Sequence, residues 1–237
     1  GYSVSLSSDG TRVAIGAPYN DGGQVRIYDL SGNTWTQVGQ DIDGEAKGDN
    51  SGYSVSLSSD GTRVAIGAPS NDGNGYDSGH VRIYDLSGNT WTQVGQDIDG
   101  EAKGDNSGYS VSLSSDGTRV AIGAPYNDGG QVRIYDLSGN TWTQVGQDID
   151  GEAKGDNSGY SVSLSSDGTR VAIGAPYNYG NNGSDSFSGQ VRIYDLSGNT
   201  WTQVSQDIDG EASNDESGFS VSLSSDGTRV AIGAPYN

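Results

Sequence analysis

The chain has 237 residues, 31 acidic and 12 basic, for a net charge of −19. A surface this acidic repels a polyanion, which excludes nucleic acid as a partner. Cysteine is absent, so disulfides and thiolate chemistry are excluded, and no run of about 18 apolar residues exists to insert into a membrane.

Only 31% of the chain is hydrophobic, and 39 residues are Gly. Low apolar content usually marks disorder, but here the apolar residues alternate and recur. Tyr2, Val4 and Leu6 alternate with Ser3, Ser5 and Ser7, the period of a strand. Asp9-Gly10 is a two-residue hairpin signal, expected as a type I′ turn because both residues tolerate positive φ. This turn pairs Leu6 with Val13 and Val4 with Ile15 on one face, and Ser5 with Ala14 and Ser3 with Gly16 on the other. The second face is made of tiny side chains, so a neighbouring sheet can approach it closely. Gly32-Asn33 closes a second hairpin that pairs Leu30 with Trp35 and Ile27 with Val38. Aromatic and β-branched cross-strand pairs of this kind stabilise a sheet by roughly 0.2–1 kcal/mol each. No apolar stripe at helical spacing is sustained anywhere.

The pattern then repeats. The segment G-[YF]-S-V-S-L-S-S-D-G-T-R-V-A-I-G-A-P starts at Gly1, Gly52, Gly108, Gly159 and Gly218. The segment V-R-I-Y-D-L-S-G-N-T-W-T-Q-V starts at Val25, Val81, Val132 and Val191. The units are 1–51, 52–107, 108–158 and 159–217, with a partial unit at 218–237. Each full unit is two hairpins, or four antiparallel strands. A lone sheet of this size leaves apolar faces wet, and stacking copies buries them. A period near 50 with four strands points to the blades of an all-β propeller. A β-helix has shorter coils, and a sandwich would not repeat so faithfully. The extra inner hairpin, 218–237, is expected to present a strand edge that closes a ring or docks on another chain. Gly1 already lies inside a repeat, so the chain is expected to have been trimmed from a longer array.

The first segment resembles the FG-GAP repeats of integrin α-subunit propellers at Gly1-Tyr2-Ser3-Val4 and Gly16-Ala17-Pro18, with Gly218-Phe219 echoing the Phe-Gly pair. The second is similar to kelch repeats at Gly22-Gly23, Tyr28-Asp29, Asn33 and Trp35. Both resemblances imply four-stranded propeller blades. Integrin-type blades often carry a calcium loop between their first two strands. Here Ser8-Asp9-Gly10 is too short to supply one, so those calcium residues do not carry over.

Near-identical blades argue against an asymmetric active site. His80 is the single His, and its counterparts are Gln24, Gln131 and Gln190. It reads as a polar variant at a strand start, with no partner for general-base work and no companion ligands for zinc. The acidic segments are the candidate metal loops. Asp41, Asp43, Glu45 and Asp49 place oxygen donors around a central Gly, as do Asp97, Asp99, Glu101 and Asp105. Asp148, Asp150, Glu152 and Asp156, then Asp207, Asp209, Glu211 and Asp215, repeat the set. Donors of this type suit Ca²⁺; the bland alternative is a solvated turn in which Asp caps backbone amides. Trp35, Trp91, Trp142 and Trp201 could stack on a sugar, but packing against Leu30 and its copies is the better expectation. The loop after Gly-Ala-Pro varies between units (Tyr19 to Asp21, Ser70 to Ser78, Tyr177 to Ser188) and would carry unit-specific contacts. Asn182-Gly183-Ser184 is a glycosylation sequon, meaningful in a eukaryotic secretory setting.

The resulting expectation is a non-enzymatic extracellular or cell-surface protein, serving adhesion or assembly. Its partner would be a protein or glycan, with self-association through the terminal hairpin. A multivalent carbohydrate- or ligand-binding propeller and an engineered consensus propeller are the alternatives.

Overall fold

The computed structural model describes residues 1–179 and 187–237. The Asn182 sequon lies outside the described residues, as does part of the variable loop after Tyr177.

The first unit contains β1 (Ser3–Leu6), β2 (Arg12–Ala17), β3 (Gln24–Ser31) and β4 (Thr34–Gln37), hydrogen-bonded in the order β1-β2-β3-β4. All pairs are antiparallel. Leu6 faces Val13, Val4 faces Ile15, Ser5 faces Ala14 and Ser3 faces Gly16, as the turn position required. Leu30 faces Trp35, and the Val38 amide donates to the Ile27 carbonyl.

The turn at Asp9-Gly10 differs from a type I′ turn in one respect. Gly10 has φ of 70°, whereas Asp9 is not among the residues with positive φ. The Asp9 carboxylate instead accepts from the Thr11 amide at 2.9 Å and the Ser7 hydroxyl at 2.7 Å. A side chain that closes the loop on both sides removes the need for a second left-handed residue.

A fifth strand was not anticipated. β5 (Ile42–Asp43) lies in the acidic segment and pairs with the start of β3, Ile42 against Val25. Ile42 is buried, and burying this one apolar residue among carboxylates is what draws the segment onto the sheet.

The second, third and fourth units repeat this sheet. Copies of β1 lie side by side through the array: β6 (Ser54–Leu57), β11 (Ser110–Leu113), β16 (Ser161–Leu164) and β21 (Ser220–Leu223). β21 pairs with β22 (Val230–Gly233) as a two-stranded sheet that packs on the fourth unit. The rings of Tyr2, Tyr53, Tyr109, Tyr160 and Phe219 follow the same arc, with neighbouring centroids 4.7–4.9 Å apart. Burial raises the phenol pKa of Tyr53 and Tyr109.

The core lies between units. Ala14, Val25, Ile27 and Ile42 of the first unit pack against Val55, Leu57, Val64, Ile66, Tyr84 and Trp91 of the second, and two further interfaces copy this cluster. The small faces behave as their composition requires. The Ser3 hydroxyl donates to the Gly52 carbonyl of the next unit, and a Cβ on Gly16 would fall onto that same oxygen. Arg12 holds Asp29 on its own sheet through Nε and Nη2, while its Nη1 donates to Gly61 O of the next unit at 2.9 Å. Arg63, Arg119 and Arg170 do the same.

The ends of the array do not cover one another. Val4 and Leu6 are 66% and 59% exposed, against 8% and 7% for their copies Val55 and Leu57. The terminal hairpin therefore leaves the first face of unit 1 open.

Candidate functional site

The acidic segments are split among three jobs. Asp49 is buried, and its Oδ2 accepts from the Ala46 amide at 2.9 Å and from Asn71 Nδ2 at 3.0 Å. Asp105, Asp156 and Asp215 accept likewise from Ala102, Ala153 and Ala212. These four residues close their loops, as turn-forming Asp does. Asp41 stays on its own sheet, accepting from Gln37 at 2.6 Å and from Arg26 at 3.1 Å, and the Arg26 contact holds its carboxyl below the usual range. Asp97, Asp148 and Asp207 accept from Gln93, Gln144 and Gln203. Glu45 crosses to the next unit, its Oε1 being 3.5 Å from Arg82 Nη1. Glu101 faces Arg133 and Glu152 faces Arg192 in the same way.

In the first segment Asp41 and Asp43 therefore share Gln24, while Glu45 and Asp49 turn to other partners. Among the described residues, one group of three donors gathers around a common point, and it draws on two units: Glu45 from the first, His80 and Asp97 from the second. Sequence reasoning missed it because Glu45 and His80 are 35 positions apart and join through packing between units.

The position of His80 explains its unusual setting. In the first unit Gln24 Nε2 donates to Asp41 at 3.0 Å and to Asp43 at 2.9 Å. Gln131 donates to Asp148 at 3.2 Å, and Gln190 to Glu152 at 3.2 Å. His80 replaces that amide. It is 1% exposed, and its Nε2 has no hydrogen-bond partner. Its Nδ1 lies 3.9 Å from Glu45 Oε2, too far for a hydrogen bond. Burial, with the charge of Arg82, lowers the imidazole pKa against the opposing pull of Asp97, Glu45 and Asp99.

Beside this cluster a cleft of about 460 Å³ opens between the acidic segment of unit 1 and the longer loop of unit 2. Glu45, Lys47, Asp49, Asn71, Asp72 and Tyr76 are among its lining residues. Lys103 Nζ sits 5.7 Å from the centroid of the Tyr76 ring, close enough for a cation–π contact. Ser70 to Ser78 differ from the short loop of unit 1, so here the copies cease to be interchangeable.

The tryptophans take their burial from the neighbouring unit. Trp91, Trp142 and Trp201 are 2–3% exposed, and their indole nitrogens donate to Val38, Val94 and Val145 carbonyls of the preceding unit at 2.9 Å. Their rings are not free to stack on a sugar.

The FG-GAP repeat family matches residues 41–84. No protein of curated function matches the sequence. Among the solved structures that share the fold are the following three. One, described as a 6-phosphogluconolactonase of Bacteroides fragilis, is 14% identical with a TM-score of 0.61, over 97% of this chain and 56% of that one. A periplasmic gluconolactonase of Pseudomonas aeruginosa is 16% identical with a TM-score of 0.64, over 97% and 64%. TolB of Acinetobacter baumannii is 19% identical with a TM-score of 0.56, over 96% and 47%. The chain thus spans between about half and two-thirds of the length of each.

These neighbours correct the expectation of a non-enzymatic adhesion or assembly module, and with it the multivalent-binding and engineered alternatives. That expectation rested on blade sameness and on a lack of partners for His80. Two of these structures are lactonases, and a cleft with carboxylates at hand lies beside His80 at the boundary of units 1 and 2. One stretch, residues 41–84, matches the FG-GAP repeat, its segments are copied along the sequence, and the fold is the β-propeller fold of these neighbours.

Proposed function

We propose that this chain is the blade array of a propeller hydrolase that opens a neutral, hydroxyl-rich cyclic ester of the sugar-lactone kind, working in the cleft between units 1 and 2. The observation that carries the reading is that cleft. It pairs a unit-specific loop with Glu45, a half-exposed carboxylate held from behind by Arg82. The lactonase neighbours support the substrate class through fold likeness.

Glu45 is the general base of this reading. It takes a proton from a water molecule as that water adds to the ester carbonyl carbon. The ring C–O bond then breaks, and the proton passes to the departing ring oxygen, leaving a hydroxy acid. Arg82 stabilises the Glu45 carboxylate, and Asp72 accepts hydrogen bonds from sugar hydroxyls. A chain with net charge −19 and several carboxylates lining the cleft disfavours a phosphorylated substrate, so an uncharged aldonolactone is preferred. A setting outside the cytoplasm belongs to the same proposal.

The test is base consumption in a pH-stat with an aldonolactone and its phosphorylated analogue. Saturable hydrolysis of the neutral lactone above the uncatalysed rate is expected. It should be lost when Ser70 to Ser78 are exchanged for the Tyr19 to Gly22 loop of unit 1. A rate equal to buffer alone, or one untouched by the exchange, overturns the proposal.

A further inference from the structure

The geometry points to a single divalent transition-metal site at the boundary of units 1 and 2, which we propose is formed by Glu45, His80 and Asp97 and takes a zinc-like ion. It shares Glu45 with the hydrolase reading, in which that carboxylate works with no ion bound, and it is tested apart from that reading because ion binding is measured without a substrate.

Three observations converge on it. First, one imidazole nitrogen of His80, one carboxylate oxygen of Glu45 and one of Asp97 all lie within 4.8 Å of one another. An ion set among them needs each donor to shift by less than an ångström to reach bond lengths of about 2.0–2.2 Å. Second, His80 is buried with Nε2 unpaired. A buried polar nitrogen without a partner is destabilising, and a metal bond would satisfy one nitrogen of this ring. Third, the sibling units show what the site replaces. Gln24 and Gln131 spend their amide hydrogens on the carboxylates equivalent to Asp97 and Asp99. In unit 2 an imidazole stands there instead, offering a lone pair where its siblings offer a donor. Asp97 Oδ1 accepts from Gln93 Nε2 at 2.6 Å, which fixes the carboxylate. Ligand carboxylates supported from behind in this way are the usual arrangement at metal centres.

Charge and donor type select the ion. Glu45 and Asp97 bring two negative charges, with Asp99 near enough to act electrostatically on His80. A nitrogen donor beside two carboxylates favours zinc, manganese or cobalt over calcium, which prefers six to eight oxygens. Arg82 contacts Oε1 of Glu45, leaving Oε2 on the His80 side.

The test is isothermal titration of the whole chain with Zn²⁺ near pH 7, with Ca²⁺ titrated separately at matched ionic strength. One Zn²⁺ per chain is expected, with Ca²⁺ bound far more weakly. H80Q should weaken Zn²⁺ by at least about 100-fold, beyond the 10–100-fold typical of losing an outer partner. This variant is the residue found at the same place in three sibling units, so folding is not at issue. Substituting Co²⁺ for Zn²⁺ should give visible d–d absorption in the unaltered chain that is missing from H80Q. No Zn²⁺ uptake, several equivalents retained in H80Q, or equal affinity for Ca²⁺ would each overturn the assignment, the last two returning the ion to the acidic segments at large.

Discussion

Replacing Trp142 with Ala removes a ring that is 3% exposed, while the same replacement at Trp35 removes one that is 45% exposed. The two residues share a strand context: each faces a Leu across the hairpin, Leu137 or Leu30. They differ in the preceding unit, which covers Trp142 and is missing at Trp35. A buried Trp covers roughly 150–250 Å², so at about 25 cal/mol per Å² complete burial stabilises by roughly 4–6 kcal/mol and half-burial by half of that. W142A also strands the Val94 carbonyl, now bonded to the indole at 2.9 Å, at a further cost of about 1 kcal/mol. Relaxation of the denatured chain trims these figures, leaving about 3–5 kcal/mol for W142A, in the range of Trp-to-Ala core changes, and about 1–2 kcal/mol for W35A. Urea unfolding followed by far-UV circular dichroism reads the difference. In a repeat array the loss at an internal interface should also broaden the transition. Equal costs for W142A and W35A, within about 0.5 kcal/mol, would show that the cross-strand Leu partner and not the neighbouring unit sets the value of these tryptophans.

Two further outcomes follow from the same interfaces and turns. Gly123→Ala places a methyl group on the Gly159 carbonyl of the next unit; its φ is not positive, so the cost is steric, about 1–3 kcal/mol in a denaturant titration, and a neutral result would mean the units can slide apart. Asp226 accepts from the Ser224 hydroxyl and the Thr228 amide, which lower its carboxyl pKa from 3.8 to about 2. A depressed folded value contributes stability above the unfolded pKa, and that contribution disappears as pH falls from near 4 through about 2. D226A should therefore flatten the acid limb of a melting-temperature profile, with little change in the slope near neutrality; an unchanged acid limb would refute the turn-capping role.

Much of the local architecture could be read from residues alone. Strand alternation at Tyr2 to Ser7, the turn position at Asp9-Gly10 and the Leu30–Trp35 pair all depend on contacts within a few residues, and period-two patterning reports those contacts directly. The tiny face of Ser3, Ser5, Ala14 and Gly16 also announced a close neighbour. The strand at Ile42–Asp43 was hidden because one apolar residue amid carboxylates carries no period. The roles of the acidic residues were hidden for a related reason. Asp49, Asp41 and Glu45 sit close in sequence, but their partners lie on a loop of the next unit, on their own sheet and on Arg82 respectively.

What the sequence by itself determined is the unit: four of its five strands, their register, the number of copies and the demand that its faces be covered. Which residues cover them was decided by tertiary structure. Trp91 and Trp142 look identical to Trp35 in sequence, yet burial separates them because a side chain's environment belongs to the neighbouring unit. His80 looks like a harmless variant of Gln24 until packing brings Glu45 across the boundary and leaves an unpaired imidazole beside two carboxylates. Periodicity describes one sheet at a time, and a site built between two sheets has no period to read.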